Sequence, residues 1–309
     1  MEEHKKFGAT DILMLLAILL WAINFSFIKI ALREFTPLAF NGIRLLLSSL
    51  ILIFFLFVSG EDLSVDRSDI LKLLIIAISG NTIYQMLFIH GINLTTASNS
   101  SIIIAMGPVF IALLSFLLKH EKLHWAAWFG IFTSFVGFYL VIAKQVGAFQ
   151  LSQKELTGDL MIFFGNLFWA VYTVFSKPLL ERISPLKLTS LSMVIGTVFY
   201  IPFCVKDIIN THYNEVSFKA WGALFYSGLF ALVICYIIWF ASVKRVGSSR
   251  TAIYDNLVPV FAVIFAYLFL NEKITILQAC GVLIIFIGVY LTRVGYRWFD
   301  KRETDKNDE

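Results

Sequence analysis

The chain has 309 residues, of which 59% are hydrophobic and only 15% charged. A water-soluble fold of that length would leave more apolar surface than water tolerates, so the composition points to lipid as the solvent. The net charge of +4 is small and scattered, with no acidic or basic block, which excludes nucleic acid as a natural partner.

Crossing the hydrocarbon of a bilayer takes about 20 predominantly apolar residues per helix. Apolar runs bounded by polar, Gly or Pro residues predict spans at 11–31, 37–58, 69–90, 97–118 and 124–143. A second set follows at 157–178, 186–205, 218–242, 249–270 and 275–294. Together they predict an all-α integral membrane protein of ten spans, with short connectors that make neighbouring helices antiparallel. Lys5 and Lys6 before the first apolar run superficially resemble a secretory signal, but no small-residue cleavage site follows and the run is needed by the repeat described next. Cys204, Cys235 and Cys280 all fall in apolar stretches, without metal-ligand spacing, and are expected to be free packed thiols.

The strongest feature is an internal repeat. Adding 148 to the numbering takes Asp11 to Asp159, Trp21-Ala22 to Trp169-Ala170, Lys29 to Lys177 and Pro37-Leu38 to Pro185-Leu186. Farther on the offset becomes 151 and maps Ser98 to Ser249, Pro108-Val109-Phe110 to Pro259-Val260-Phe261, and Glu121-Lys122 to Glu272-Lys273. The same offset takes Gly130 to Gly281 and Gly137 to Gly288. The expected organisation is a first five-helix repeat over 1–150, a second over 151–296, and a charged tail at 297–309. Five is odd, so the second repeat enters the membrane from the opposite side and the two are inverted. Lys and Arg concentrate in the segments that share a face with the N-terminus, which predicts a cell (inner or plasma) membrane protein with both termini cytoplasmic.

The doubled Trp-Ala, Pro-Val-Phe, and Glu-Lys followed by Gly-x6-Gly signatures, in order over nearly the whole chain, resemble the EamA-type branch of the drug/metabolite transporter superfamily. The resemblance implies a basket-like bundle around a central cavity that opens alternately to either side. It also implies secondary transport of a small metabolite, with export of an amino acid or related compound as the leading reading and a multidrug or nucleoside-type permease as the alternative. Members of that branch commonly have Gly before the motif glutamate; His120 and Asn271 stand there in this chain, which implies differently capped turns.

A polar path through lipid belongs where the repeats meet. In span three, Asn81, Tyr84, Gln85 and Phe88 share one helical face, and Tyr236 and Trp239 lie on the matching face of span eight. Such a mix of rings and hydrogen-bonding groups suits an amphipathic small molecule, although aromatic stripes also pack against neighbouring helices. Trp21 with Asn24 and Trp169 with Tyr172 occupy matching positions in spans one and six. For Asn24 alone, and for Asn166, hydrogen bonding between helices is the leading expectation.

Asp255, flanked by Tyr254 and Asn256, lies about 9 Å into span nine and is expected to line the pathway, where it binds a substrate amine, exchanges a proton or pairs with Arg44. Depth argues against that pair, and Arg44 is expected to be structural, reaching the interface or a helix end. Pro108 and Pro259 break spans four and nine about 16 Å along each, freeing carbonyls or only bending the helix. The four glycines provide a packing surface or one for a homodimer. Glu121 and Glu272 are expected to cap turns or pair with the adjoining lysines.

A polytopic membrane enzyme is the rival class, and catalysis would want clustered acid, base or metal groups. His120 and His124 are four apart but lack a third ligand, and no glycine loop could cradle a nucleotide phosphate. No cofactor and no metal are expected; the expected partners are the bilayer and a small-molecule substrate.

Overall fold

The computed structural model describes residues 8–118, 125–147 and 152–294. His120, Glu121-Lys122, His124, Lys5-Lys6 and the tail at 297–309 lie outside the described residues. Helices account for nearly all of the rest, and no strand occurs among them. We number the helical stretches in chain order: α1 (Ala9–Ala31), α2 (Pro37–Val58), α3 (Arg67–Leu94), α4 (Ala97–Leu117), α5 (Trp125–Gly147), α6 (Gln153–Leu180), α7 (Pro185–Asn210), α8 (Phe218–Val246), α9 (248–270) and α10 (Ile276–Val294). Eight of them contain helices long and apolar enough to cross a membrane; α5 and α10 contribute shorter apolar helices, Trp125–Val141 and Ile276–Thr292.

Local chemistry explains where the helices begin. Pro37 and Pro185, a repeat pair, both occupy the first turn, where the missing N–H costs nothing. Before each prolyl residue stands a hydroxyl cap, Thr36 accepting from the Ala39 N–H at 3.2 Å and Ser184 from Lys187 at 3.0 Å. Stretches α3, α6, α7 and α8 run past their predicted ends by several residues, because polar turns continue as capped helix beyond the apolar core. Ser152 caps α6 and Ser217 caps α8. The Ser217 N–H and hydroxyl also donate to Glu34 at 2.6 and 2.8 Å, and these bonds hold the Glu34 carboxyl below its ordinary range.

The helices pack chiefly across the two halves of the chain. α5 lies against α10 and α2 against α7, while α3 and α4 pack on α6 as α8 and α9 pack on α1. Large apolar side chains such as Leu50, Phe54, Phe132 and Leu268 cover the outer surface, as lipid-facing positions would. Cys204 and Cys235 are buried free thiols; contrary to the expectation of a packed thiol, Cys280 on α10 is exposed.

The glycine stripes are used inside the chain. A Cβ on Gly288 would lie 2.5 Å from the Ser134 N and 2.6 Å from the Gly130 O, and one on Gly281 would lie 2.9 Å from the Gly137 O. Under the repeat, Gly130 corresponds to Gly281 and Gly137 to Gly288, so these two contacts are each other's counterparts. Backbones that approach so closely gain van der Waals contact that lipid cannot supply. Gly288→Val is therefore expected to destabilise the α5–α10 pair by about 1–3 kcal/mol or more, read as a lowered thermal midpoint in detergent, while the outward-facing Val205→Leu leaves it unchanged.

Candidate functional site

Near the middle of the bundle the two repeat-equivalent tryptophans meet. Trp21 of α1 and Trp169 of α6 stand edge-on, with centroids 6.1 Å apart and planes at 86°. Trp239 packs behind both, at 5.6 and 5.4 Å, and Tyr84 lies 5.2 Å from Trp169. Phe88 stacks on Tyr84 at 5.4 Å and meets Phe25 at 5.8 Å, which completes an aromatic wall.

Against this wall lies a cavity in which the centre of a water molecule can reach about 50 Å³. It has room for a few waters, and a larger solute requires the helices to part. Trp21, Asn24 and Phe25 from α1, Arg44 from α2, and Tyr84, Gln85 and Phe88 from α3 line it on one side. Ile104 of α4, Trp169 of α6, Ala231, Leu232 and Tyr236 of α8, and Asp255 and Val258 of α9 close the other.

Irregular backbone surrounds the cavity. α3 widens into a π-helical segment at Ile78–Ile83 and α8 does so at Ser227–Ile234. Such segments displace the normal hydrogen-bond ladder and recur at functional sites. The Ala231 carbonyl in the second one accepts from Trp21 Nε1 at 2.9 Å, and Gly228 O accepts from the Ser48 hydroxyl at 3.0 Å. Gly80 is required in the first, since a Cβ there would fall 2.2 Å from the Tyr172 ring. α4 breaks after Ile104 and resumes at Gly107 with Pro108 in its first turn. α9 passes through a 3-10 turn at Ile253–Leu257 and resumes at Val258 with Pro259 in its first turn. Each proline thus opens a new helical segment instead of bending a continuous one. Of the carbonyls at the first break, Ile103 O is taken by Asn166 Nδ2 at 2.8 Å.

Arg44 is the correction that matters most. It does not reach an interface; it is 1% exposed and lines the cavity. Its Nη1 donates to Ser227 Oγ at 2.8 Å, and its Nη2 donates to Asn41 Oδ1 at 2.6 Å and to Gln85 Oε1 at 2.5 Å. Gln85 Nε2 in turn donates to the Tyr236 hydroxyl at 2.7 Å. Nothing accepts from Arg44 Nε, and among the described residues no carboxylate lies within 4.0 Å of the guanidinium. Asp255, 4% exposed, forms no ion pair within that distance either. Its Oδ2 faces Gly107, 3.8 Å from where a Cβ would sit, and the unpartnered Oδ1 of Asn166 lies 3.9 Å from the same point.

Asn24 also departs from expectation: its buried Oδ1 has no partner and the side chain lines the cavity, whereas Asn166 bridges helices as expected. Of the other residues expected to bind substrate, Asn81, Tyr172, Trp239 and Asn256 do not line the cavity. Asn81 Nδ2 donates to the Tyr172 hydroxyl at 3.2 Å, and that hydroxyl pairs with Ser192 at 2.8 Å, so the group ties α3, α6 and α7 together. Trp239 is fully buried behind the wall, and Asn256, next to Asp255 in the chain, has an unpartnered Oδ1. Phe25, Ala231 and the π segments were not anticipated. Ser79-Gly80 and Ser227-Gly228, again 148 apart, were the available signal. No group of three or more His, Cys, Asp or Glu residues that could hold a metal occurs among the described residues.

Comparison with known proteins agrees with this geometry. The sequence profile of the EamA-like transporter family matches twice, over residues 8–143 and 156–294. The chain belongs to the EamA-like transporter family. A relative from Archaeoglobus fulgidus, named only as an uncharacterized transporter, is 34% identical over 92% of this chain and 96% of its own length. The uncharacterized transporter YyaM of Bacillus subtilis is 28% identical over 86% of this chain and 87% of its own. A crystal structure of 15% identity shares the fold, with a TM-score of 0.68 over 93% of this chain and 99% of the other. This EamA-family protein is thus a multi-pass membrane protein of a transporter family, and the names its relatives carry indicate a transporter, not an enzyme.

Within the EamA-family protein the two polar clusters separate by experiment. Tyr172→Phe removes the hydroxyl shared by Asn81 and Ser192 and is expected to cost about 1–3 kcal/mol of stability, seen as a lower thermal midpoint. Any solute that protects the wild type should protect this variant by the same increment.

Proposed function

We propose that this protein is a secondary transporter, not driven by ATP, that exports an amino acid or related small metabolite by alternating access. In this reading ten spans form two inverted five-helix repeats, residues 1–150 and 151–296, with both termini in the cytoplasm. The observation that carries it is the central cavity, to which both halves contribute, at the point where repeat-equivalent residues touch each other. Trp21 meets Trp169, and Ser49 pairs with Thr197 at 2.9 Å, both pairs 148 apart, as a two-fold axis through the bundle would arrange them. Trp21, Asn24, Tyr84, Gln85, Phe88, Trp169, Tyr236 and Asp255 would contact the solute.

Alternation requires ties at each end that can part in turn. At the end holding the α9–α10 turn, Glu272 accepts from the Ala97 and Ser98 N–H groups at 3.0 and 2.9 Å and from the Ser98 hydroxyl at 2.7 Å. It caps the start of α4 from the other half of the chain, not its own turn, and forms no ion pair with Lys273 within 4.0 Å. Asn271 makes that approach by taking the left-handed conformation, φ 56°, which the amide tolerates in place of glycine. At the other end Arg245 donates to Thr10 at 2.8 Å and Tyr254 donates to Asp11.

The test is flux through proteoliposomes over a panel of amino acids, nucleosides and amphipathic cations, with and without a proton gradient. Saturable movement of a chemically unchanged solute is expected; its conversion without movement would decide for a membrane enzyme. Ala231→Phe, which sets a ring into the cavity while keeping the carbonyl that Trp21 uses, should abolish saturable flux, and because the cavity has room for only a few waters the ring should also lower the thermal midpoint, by about 1–3 kcal/mol of overpacking. In a background without native cysteines, Ile104→Cys should react faster with an impermeant thiol reagent applied at the α9–α10 end once Glu272→Ala is added. An unchanged rate would remove Glu272 as a closure.

A further inference from the structure

The surface that faces lipid carries a groove of about 490 Å³ between α1, α8 and α9, against about 50 Å³ in the central cavity. It lies at the end of the bundle that holds the α9–α10 turn: Phe27 and Ile30 come from the last turns of α1, Phe218 to Phe230 from the start of α8, and Phe269 from the close of α9. Its walls are aromatic and aliphatic. Tyr226 meets Phe27 at 4.6 Å and stacks on Phe230 at 5.0 Å, and Phe269 stands 6.0 Å from Phe27. The Tyr226 hydroxyl is spent on Leu20 O, to which it donates at 3.0 Å, so that α8 is tied to α1 beneath the groove. Phe218 and Phe230 are 12 residues apart, about 18 Å along a helix, which matches the acyl region of one leaflet, about 15 Å deep.

Two further features say what fills it. Gly222 lines the groove in the interior of a helix, where glycine costs about 1 kcal/mol relative to alanine. A Cβ there would meet nothing within 4 Å, so neither a tight helix contact nor a left-handed backbone requires the glycine, unlike those of α5 and α10. Its effect is to leave the groove open. The second feature is charge at the mouth. Lys219 lines the groove and is exposed, and exposed Arg33 follows Ile30 by one tight turn, its N–H donating to Ile30 O at 3.3 Å, which keeps it in line with Ile30 and Phe27. Among the described residues neither cation has a carboxylate within 4.0 Å, and the neighbouring Glu34 is engaged by the Ser217 N–H and hydroxyl. We propose that this groove is a site for one anionic phospholipid, with an acyl chain laid along Gly222 between α1 and α8 and the phosphate held by Lys219 and Arg33. The stems of the two cations cover the upper acyl chain while their charged ends stay at headgroup level. A headgroup with a cation of its own brings like charge to the same place. So would a second copy of this chain, because a two-fold axis along the membrane normal sets Lys219 and Arg33 of both copies at one end.

The test offers phosphatidylglycerol or phosphatidylcholine of equal chain length to the full-length protein, purified in detergent and stripped of lipid. Tightly bound lipid is counted by native mass spectrometry, and the thermal midpoint is read in parallel. The wild type is expected to hold phosphatidylglycerol at least about tenfold more tightly than phosphatidylcholine and to be the better protected by it. Gly222→Leu puts an aliphatic side chain where the acyl chain lies. It should fold, since no atom stands in its way and leucine is the better helix former, and it should lose the bound phosphatidylglycerol. Lys219→Gln combined with Arg33→Gln should hold the two lipids alike. Equal retention of both lipids by the wild type overturns the proposal, and that comparison needs no variant. Retention undiminished in Gly222→Leu overturns it too, as does a wild-type dimer that Gly222→Leu dissolves with the lipid count unchanged. None of these outcomes depends on which solute the protein carries.

Discussion

Hydrocarbon offers no hydrogen-bond partners, so every polar side chain that this chain carries into the bilayer must be answered by another part of the protein. The answers come mostly from the other half. Thr82 donates to Gly196 O at 2.9 Å, Ser49 pairs with Thr197 at 2.9 Å, and Asn99 donates to Asp159 at 3.2 Å while its own oxygen accepts from Gln278. Polar groups thus stitch residues before 150 to residues after it, and the apolar surface left over faces outward. Of the buried groups that the stitching leaves unsatisfied, Asn24 Oδ1 and Arg44 Nε belong to residues lining the cavity, while others, such as the Thr173 and Tyr200 hydroxyls, lie away from it.

The same layer holds the departures from regular helix. Two π segments and two proline-started breaks surround the cavity, on α3, α8, α4 and α9. Each releases backbone groups from the α-helical ladder, and neighbours capture them: Trp21 on Ala231, Ser48 on Gly228, Asn166 on Ile103. The glycine seam between α5 and α10 and the capped starts of α2 and α7, by contrast, keep regular helix.

Much of this was legible beforehand because repeats and apolar runs are properties of the chain alone. The helices fell close to the predicted stretches, the Trp21 and Trp169 pair was singled out, and the Tyr84, Gln85 and Phe88 face was placed by helical periodicity. Arg44 was misread for a physical reason: distance along one helix locates a residue near a membrane face, but it carries no information about a π segment on α8 that presents Ser227 to it. Asn81 and Tyr172 were read as pocket residues because they share a face with those that are, yet their nearest hydroxyl and amide were each other.

Hydrophobic length and the doubled motifs identified this chain as a multi-pass membrane protein of the EamA-like family, since those quantities depend on composition and order alone. Which buried groups are paired, and which stay unpaired around the cavity, only the tertiary structure decided. Pairing depends on side chains far apart in the chain, 183 residues for Arg44 and Ser227 and 243 for Asp11 and Tyr254, and no local pattern encodes such meetings.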